Sequence, residues 1–475
     1  MSTTTSAPRF SVEAIDLFER DVVLRMPFRF GVVTLTRSPQ AFARARIRLA
    51  DGRTGLGMAA ELLAPKWFDK NPALSNEDNF EQLRAALGIA RALYLDGRDD
   101  TGLGRFALHY PAQIEQGRAR GLSGLVALYG PALLDRALLD GLCRALEVPF
   151  HEAVQRNLVG LGPNDLCPDL AGFDFPTFLA GLKPAPTIAA RHTVGLVDPI
   201  TAADVTEPVG DGLPETLEEV VAAYGQRWFK LKVAGDVAAD VERLSRIAGV
   251  LDRIPGGYRC SLDGNEQYDD IEGVLALWRR MHAEPRLARL TASVAFVEQP
   301  IKRQSALERD VSSLSAETPV IVDESDDGID AFLRARDKGY RGVSSKTCKG
   351  IYKSLINAAR CDLWNRATPG RYLMSAEDLT IQAGIALQQD LALVSLLGIR
   401  HVERNGHHYV DGMAALPQDE QQRFLDAHPD LYERSHGAVR VKIEGGELSI
   451  GSLGGIGFAS GAAPDWASMR TMKTP

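Results

Sequence analysis

Two lysines on one face of a short apolar segment, residues 228–233 (WFKLKV), carry the clearest chemical signal in the sequence. The segment is apolar and ends in a β-branched residue, which predicts a buried strand. Because side chains alternate along a strand, Lys230 and Lys232 point the same way and Leu231 points the other way. Two buried ammonium groups side by side carry a high desolvation cost unless other groups use their charge. We therefore expect carboxylates close to this strand.

Charged residues also end the next four predicted strands. Successive members of the series that begins at Lys232 are 23 to 35 residues apart, which leaves room for one strand, one helix and two loops. This rhythm is typical of a parallel β/α barrel, in which catalytic residues lie at the C-terminal ends of the strands. The four residues are Asp263 (RCSLD), Glu298 (VAFVE), Asp323 (TPVIVD) and Lys346 (GVSSK).

The remaining patterns predict an α/β protein with a smaller domain ahead of the barrel. Residues 10–62 alternate like an antiparallel meander, and residues 76–160 have helical spacing. The predicted divisions are a capping domain (1–188) with a helical insertion, a barrel (189–432) and a C-terminal tail (433–475). Within the tail, AVRVKIEGGELSI predicts a hairpin that returns to the capping domain. The barrel strands are predicted near 192–196, 228–233, 258–263, 294–298, 319–323, 342–346, 371–376 and 399–403.

The order Lys-x-Lys, Asp, Glu, Asp, Lys on successive strands resembles the enolase superfamily, in its muconate lactonizing enzyme-like subgroup. The short contexts KLK, LDGN, VEQP, VDES and SSKTCK agree with this resemblance. PFRFG (27–31) resembles the N-terminal specificity loop of the family, and residues 445–459 resemble its usual C-terminal tail. The resemblance implies a (β/α)8-type barrel with an N-terminal α+β capping domain that the C-terminal tail completes.

The resemblance also implies a reaction. It is that of a Mg²⁺-dependent lyase or isomerase, which removes the α-proton of a carboxylate and forms a metal-stabilised enolate. Racemisation or epimerisation, cycloisomerisation and dehydration are all compatible with this step. Lys232 and Lys346 are expected to be the acid/base pair, with Lys230 acting electrostatically. The metal, Mg²⁺ or Mn²⁺, is expected on three oxygen ligands, namely Asp263, Glu298 and Asp323.

Glu377 is a further expected catalytic residue, because it matches the seventh-strand glutamate of the subgroup. It is expected to hydrogen-bond the substrate or Lys346. The competing interpretation is a capping box with Ser375. The Asp-x-Asp of dipeptide epimerases is replaced on the eighth strand by RHVERNGHHY, and LMSAEDL has no histidine of the mandelate racemase type.

Capping-domain residues are expected to close over the barrel mouth and bind substrate. The resemblance of PFRFG to a specificity loop points to Arg25, Phe28 and Arg29. For the two arginines, surface salt bridges are the competing explanation. The turn at residues 55–57 (GLG) is the second expected contact.

Two other functions fit part of the pattern. A Schiff-base aldolase would use Lys346 as its nucleophile. A non-catalytic paralogue would only bind a ligand, although its base, acid and metal positions would then all be filled without use. A metallohydrolase barrel is disfavoured, because none of the nine histidines forms a His-x-His pair.

Composition narrows the partners and the cellular setting. A length of 475 residues favours two domains, and a net charge of −8 without a basic run argues against nucleic acid. The five cysteines form no CxxC cluster, which fits a reducing cytoplasm. No apolar run reaches the roughly 18 residues of a membrane helix. We therefore expect a cytoplasmic homo-oligomer that acts on a small-molecule carboxylate and binds neither nucleic acid nor a membrane.

Overall fold

The N-terminal sheet is built from three long antiparallel strands in the computed structural model, which describes residues 7–30 and 33–475. The side chains at 29, 30 and 33 also lie outside the description. In AFARARIRL, alternate residues from Ala43 to Leu49 are buried while the arginines between them face outward. The predicted antiparallel meander is confirmed. Its strands are β1 (Phe10–Phe30), β2 (Val33–Leu49) and β3 (Thr54–Leu62).

Five helices follow, and the longest of them, α3 (Gly124–Leu146), is buried along almost its whole length. A Cβ atom on Gly57 would lie 2.0 Å from the carbonyl oxygen of Ala137, so strand β3 and this helix meet at backbone distance. Residues 55–57 therefore lie in a strand against α3, and the expectation that they form a substrate-contacting turn is wrong. The helices are α1 (Asn76–Tyr94), α2 (Gly102–Ala119), α3 (Gly124–Leu146), α4 (Phe150–Gln155) and α5 (Phe175–Gly181).

Eight parallel strands then alternate with helices. The strands are β4 (Thr187–Val194), β5 (Trp228–Lys232), β6 (Arg259–Asp263), β7 (Val294–Glu298), β8 (Val320–Val322), β9 (Gly342–Ser345), β10 (Leu373–Ala376) and β11 (His401–Arg404). The helices are α6 (Leu217–Tyr224), α7 (Val237–Leu251), α8 (Ile271–Ala283), α9 (Ala288–Ser293), α10 (Arg303–Ala306), α11 (Ser312–Ser315), α12 (Ala331–Asp337), α13 (Ile351–Ala367), α14 (Ile385–Leu396), α15 (Gly406–Tyr409) and α16 (Gln418–Ala427).

The parallel sheet curls into a barrel whose strand order is β10-β9-β8-β7-β6-β5-β4-β11. Side chains bridge the seam between β10 and β11. The amide of Asp378 donates to Glu403 at 3.2 Å, and the amide of Asn405 donates to Asp378 at 2.7 Å. The predicted (β/α)8-type fold with a capping domain is confirmed, although its first strand starts at Thr187, earlier than the predicted segment 192–196.

The C-terminal tail serves both parts of the molecule. Strands β12 (Tyr432–Ser435) and β13 (Ala438–Val441) pair with each other. Strand β14 (Glu447–Ser449) pairs with β4 of the barrel, and β15 (Arg470–Thr471) pairs with β1. The turn of the predicted hairpin within AVRVKIEGGELSI forms, because Glu444 and Glu447 exchange backbone hydrogen bonds of 3.1 and 3.0 Å. The flanking strands β13 and β14 pair with other strands, and the end of the tail pairs with the capping sheet. Over residues 7–30 and 33–475, no helix combines the length and apolar character needed to cross a bilayer.

Candidate active site

The predicted charged residues meet at one edge of the barrel. Lys232, Asp263 and Glu298 are register partners at the ends of β5, β6 and β7. Asp323 and Lys346 directly follow β8 and β9, and all five side chains are buried. Parallel strands place their C-terminal ends at the same rim, which is why residues far apart in sequence come together here.

Lys230 is the centre of a network of four carboxylates. Its Nζ lies 2.9 Å from carboxylate oxygens of Asp263, Glu298, Glu377 and Glu403. Burial alone would lower the pKa of Lys230, but these carboxylates raise it well above its usual value. Lys230 is therefore a fixed cation.

The two lysines expected to be the acid/base pair each contact one carboxylate. Lys232 Nζ donates to Asp263 at 2.6 Å, and Lys346 Nζ donates to Asp323 at 2.7 Å. Burial would lower the pKa of Lys346, but Asp323 outweighs it and raises this pKa. Because β5 and β9 are four strands apart in an eight-strand ring, the two lysines approach the pocket from opposite sides.

Asp323 has further support on the Lys346 side. Lys349 Nζ lies 3.3 Å from its carboxylate and donates to Ser344 at 2.8 Å, while the Ser344 hydroxyl donates to Asp323. Burial favours the protonated form of Asp323, but Lys346 and Lys349 hold its pKa well below the usual range. Asp323 is thus an anion fixed by two cations and a hydroxyl.

A pocket opens above these groups. Its floor carries the three lysines of strands β5 and β9, and an apolar wall comes mainly from the capping domain. The lining residues are Phe28, Leu35, Ala64, Trp67, Lys230, Lys232, Asn265, Asp323, Lys346, Asp378, Leu379, Thr380, Glu403 and Asn405.

Of the three residues expected to bind substrate, Phe28 lines the pocket. Arg25 lies outside it, and its guanidinium pairs with Asp211 at 2.6 and 2.9 Å and donates to the carbonyl oxygen of His408 at 2.8 Å. These bonds join strand β1 to loops of the barrel, so Arg25 has a structural role here. The side chain of Arg29 falls outside the described residues.

Glu377 lies beneath the pocket. Its carboxylate accepts hydrogen bonds from Lys230 at 2.9 Å and from the Ser375 hydroxyl at 2.6 Å, and it forms an ion pair with Arg191. The expected bond to Lys346 is replaced by the bond to Lys230. Ser375 does bond Glu377, but through its side chain within strand β10 and not as the cap of a helix.

Several pocket residues escaped the sequence analysis. Glu403 is the last residue but one of the eighth strand, so a search for charges near strand ends would have found it. Asp378 and Asn405 bridge the barrel seam, which no sequence pattern marks. Trp67 comes from a loop after β3, and its ring centroid lies 4.2 Å from Lys346 Nζ.

The three carboxylates expected to bind metal are suited to a divalent cation by chemistry. Among the described residues, no three His, Cys, Asp or Glu side chains are arranged as a metal-binding group, because lysines lie between the carboxylates. Glu298 Oε2 is 2.9 Å from Lys230 Nζ, yet it has no hydrogen-bond partner within the described part of the chain. Burial and the neighbouring carboxylates raise the pKa of Glu298 well above its usual value. Crowded oxygens with an unsatisfied acceptor fit a hard dication.

Comparison with known proteins agrees with this geometry. Residues 212–460 match the family model described as enolase C-terminal domain-like. The protein belongs to the enolase superfamily. Muconate cycloisomerase 1-2 of Acinetobacter lwoffii is 23% identical over 325 residues, which cover 68% of this chain and 67% of that protein.

Solved enolase-superfamily structures share the fold over nearly the whole chain. The muconate lactonizing enzyme of Pseudomonas fluorescens is 17% identical, with a TM-score of 0.58 over 96% of this chain and 97% of that one. The L-Ala-D/L-Glu epimerase of Bacillus subtilis is 16% identical, with a TM-score of 0.57 over 95% and 99%. The protein is therefore an enzyme with the enolase-superfamily architecture, and its relatives support an enolization-type reaction.

Proposed function

We propose that the protein is a Mg²⁺-dependent lyase or isomerase, which removes the α-proton of a carboxylate substrate to form an enolate. The observation that carries this proposal is the placement of Lys232 and Lys346, two buried amines that line one pocket from opposite sides. The proposal covers racemisation or epimerisation, cycloisomerisation and dehydration, because all of them pass through such an enolate.

Asp263, Glu298 and Asp323 would hold the metal, with Mn²⁺ as a substitute for Mg²⁺. When bound, the metal would act as a Lewis acid that offsets the charge of the enolate. The support is three carboxylates after adjacent strands, one of which has an unsatisfied oxygen and a raised pKa. Members of the enolase superfamily generally use Mg²⁺, which supports the same choice.

The lysines would divide the proton transfers between them. In racemisation or epimerisation, one of Lys232 and Lys346 accepts the α-proton as a free amine, and the other delivers a proton to the opposite face of the same carbon. Lys230 stays charged because four carboxylates surround it, so its contribution is electrostatic. The substrate carboxylate would face this positive end of the pocket.

The capping wall would bind the rest of the substrate. Phe28, Leu35, Ala64 and Trp67 form an apolar surface above the lysines. An apolar cover excludes water and strengthens the electrostatic interactions beneath it. We therefore expect the wall to select acids whose substituents are apolar.

The test is exchange of the substrate α-proton in D₂O against a library of carboxylic acids, with Mg²⁺ and after its removal. Lys232→Ala and Lys346→Ala should each lower turnover by about 10²–10⁴-fold, since each removes one acid/base group. Leu56→Ala, at an exposed position of strand β3, is the control. Exchange retained by one lysine variant only would identify a one-base reaction.

Three results would count against the proposal. Near wild-type turnover in both lysine variants would rule out proton transfer by Lys232 and Lys346. Full turnover after removal of divalent ions would show that the reaction does not require a metal. Borohydride trapping of Lys346 with a carbonyl substrate would favour the Schiff-base alternative.

A further inference from the structure

A loop of the capping domain, residues 63–71, lies over the pocket and is anchored on two sides. Its Trp67 is buried and contacts Lys346. On the capping side, the ring of Phe68 packs edge-on against Tyr129 of α3, with centroids 5.2 Å apart. Apolar packing thus fixes one side of the loop, and polar groups of the barrel fix the other.

The barrel-side anchor is an ion pair between Glu266 and Arg303. Arg303 donates to the carbonyl oxygens of Trp67 at 2.9 Å and Phe68 at 3.0 Å. The same guanidinium donates to the Glu266 carboxylate at 2.7 and 2.8 Å. Glu266 also accepts from the Arg303 backbone amide at 2.9 Å and pairs with Lys70 of the loop at 2.5 Å. One partly buried ion pair therefore joins the loop after β6 and the start of helix α10 to the covering loop.

We propose that Glu266 and Arg303 are positioning residues, which fix loop 63–71 by its backbone carbonyls and so hold Trp67 against Lys346. The planar guanidinium has five N–H donors, so it bonds two carbonyls and both oxygens of a carboxylate at once. These are four bonds, one more than the three donors of a lysine can supply. The inference rests on the proposed function for the role of Lys346 in proton transfer. The loop contact itself is independent of that role.

The backbone conformation around Glu266 supports its role as a positioning residue. Asn265 and Glu266 both have left-handed backbones, with φ of 39° and 67°. Two successive non-glycine residues in this region carry strain, which persists only where the surroundings fix the conformation. Here the bend presents the Glu266 side chain to Arg303 and Lys70. Asn265, the neighbour of Glu266, lines the pocket itself.

The first test is the environment of Trp67 in Arg303→Met. The protein would be labelled with 5-fluorotryptophan at its five tryptophans, and the Trp67 resonance assigned from Trp67→Phe. We expect Arg303→Met to shift or broaden the Trp67 fluorine signal and leave the other four unchanged. Arg286→Met, which removes an exposed arginine paired with Glu242 and Glu284, is the matched control.

The second test asks whether the effect reaches Lys346. Trace labelling of amines with acetic anhydride, read by mass spectrometry, reports how often each lysine is accessible. Loss of the charge-assisted bonds should open the loop more often and raise Lys346 labelling about tenfold. Lysines remote from the loop should be unaffected. With any acid that exchanges, Arg303→Met should lower kcat for exchange by a similar factor.

Each result decides the inference. An unchanged Trp67 signal in Arg303→Met would overturn it, and a changed signal with unchanged Lys346 labelling would leave only a structural ion pair. If Arg303→Met does not fold by circular dichroism, Arg303→Lys and Glu266→Gln must move the same signal. Neither the fluorine signal nor the lysine labelling uses a substrate, so failure of the proposed reaction would not be confused with failure of the anchor.

Discussion

Two buried polar clusters flank strand β4. The side chains of one cluster are charged, and those of the other are neutral. Arg191 and Thr193 face the barrel interior, where they bond Glu377 and Glu403 of the lysine–carboxylate network. His192, between them, faces outward to His407 and His408, with ring centroids 5.5 and 5.0 Å away. Neighbouring residues of one strand therefore serve an ionic cluster and an imidazole cluster.

The difference lies in how each cluster meets the cost of burial. In the ionic cluster every cation contacts carboxylates, so charge is kept. In the imidazole cluster, His192 Nδ1 and both ring nitrogens of His407 are buried, and within the described part of the chain they have no hydrogen-bond partner. Burial lowers the pKa of His192 to about 3 and those of His407 and His408 well below the usual value. Buried groups without partners are thus kept neutral.

Lys230→Met should show the largest effect, because it removes the cation that four carboxylates share. Loss of one partner from a buried ionic group typically costs about 3–5 kcal/mol. We expect this decrease in the free energy of unfolding, measured by urea denaturation in EDTA. Added Mg²⁺ should restore more stability to Lys230→Met than to the parent, since it can neutralise the same oxygens. Equal effects of Mg²⁺ on both proteins would contradict the assigned metal site.

The imidazole cluster should make stability sensitive to acid. The folded pKa values lie below the unfolded value of about 6.5, so the stabilisation is complete above that pH and is lost as the pH falls. For each histidine that stays neutral in the folded protein, the free energy of unfolding falls by up to about 1.4 kcal/mol for each pH unit below the unfolded pKa. Arg25, Arg404 and Tyr224 face this cluster, and both arginines further disfavour protonation.

His407→Phe separates this effect from that of the carboxylates. It removes one titrating ring and keeps a similar shape, so the loss of unfolding free energy between pH 6.5 and 4.5 should be smaller than in the parent. Urea denaturation at several pH values gives the slope of the unfolding free energy against pH for His407→Phe and for the parent. Identical slopes would show that His407 titrates normally in the folded protein.

Thr193→Val should have the smallest effect and act only on the ionic side. Thr193 donates to Glu403 at 2.6 Å, and loss of a hydrogen bond to a buried carboxylate costs about 1–3 kcal/mol. The loss of unfolding free energy on acidification that is attributed to the histidines should be the same in Thr193→Val as in the parent. A changed slope in Thr193→Val would mean that the two clusters are coupled through the strand.

The positions of the reactive groups along the chain could be predicted because they depend on local patterns. Alternation within WFKLKV placed Lys230 and Lys232 on one face, and strand-ending charges identified the carboxylates and Lys346. Element bounds shifted by a few residues, as for β4, since burial against the tail strand β14 extends it. The predicted tail hairpin forms only its turn, at Glu444 and Glu447, and its flanking strands take other partners. Strand partners are chosen by tertiary packing and not by the turn sequence alone.

The sequence by itself determined that the three lysines of the floor and the three carboxylates expected to bind metal reach the barrel rim, since strand periodicity and the β/α repeat fix both face and end. Only the tertiary structure decided their partners. Lys230 bonds Glu403, 173 residues away, and Trp67 of the capping domain contacts Lys346 of the barrel. Such contacts depend on how the sheet curls and how the domains meet, and no local pattern encodes either. The physical reason is that a desolvated charge is stabilised by whatever group packing brings within about 3 Å.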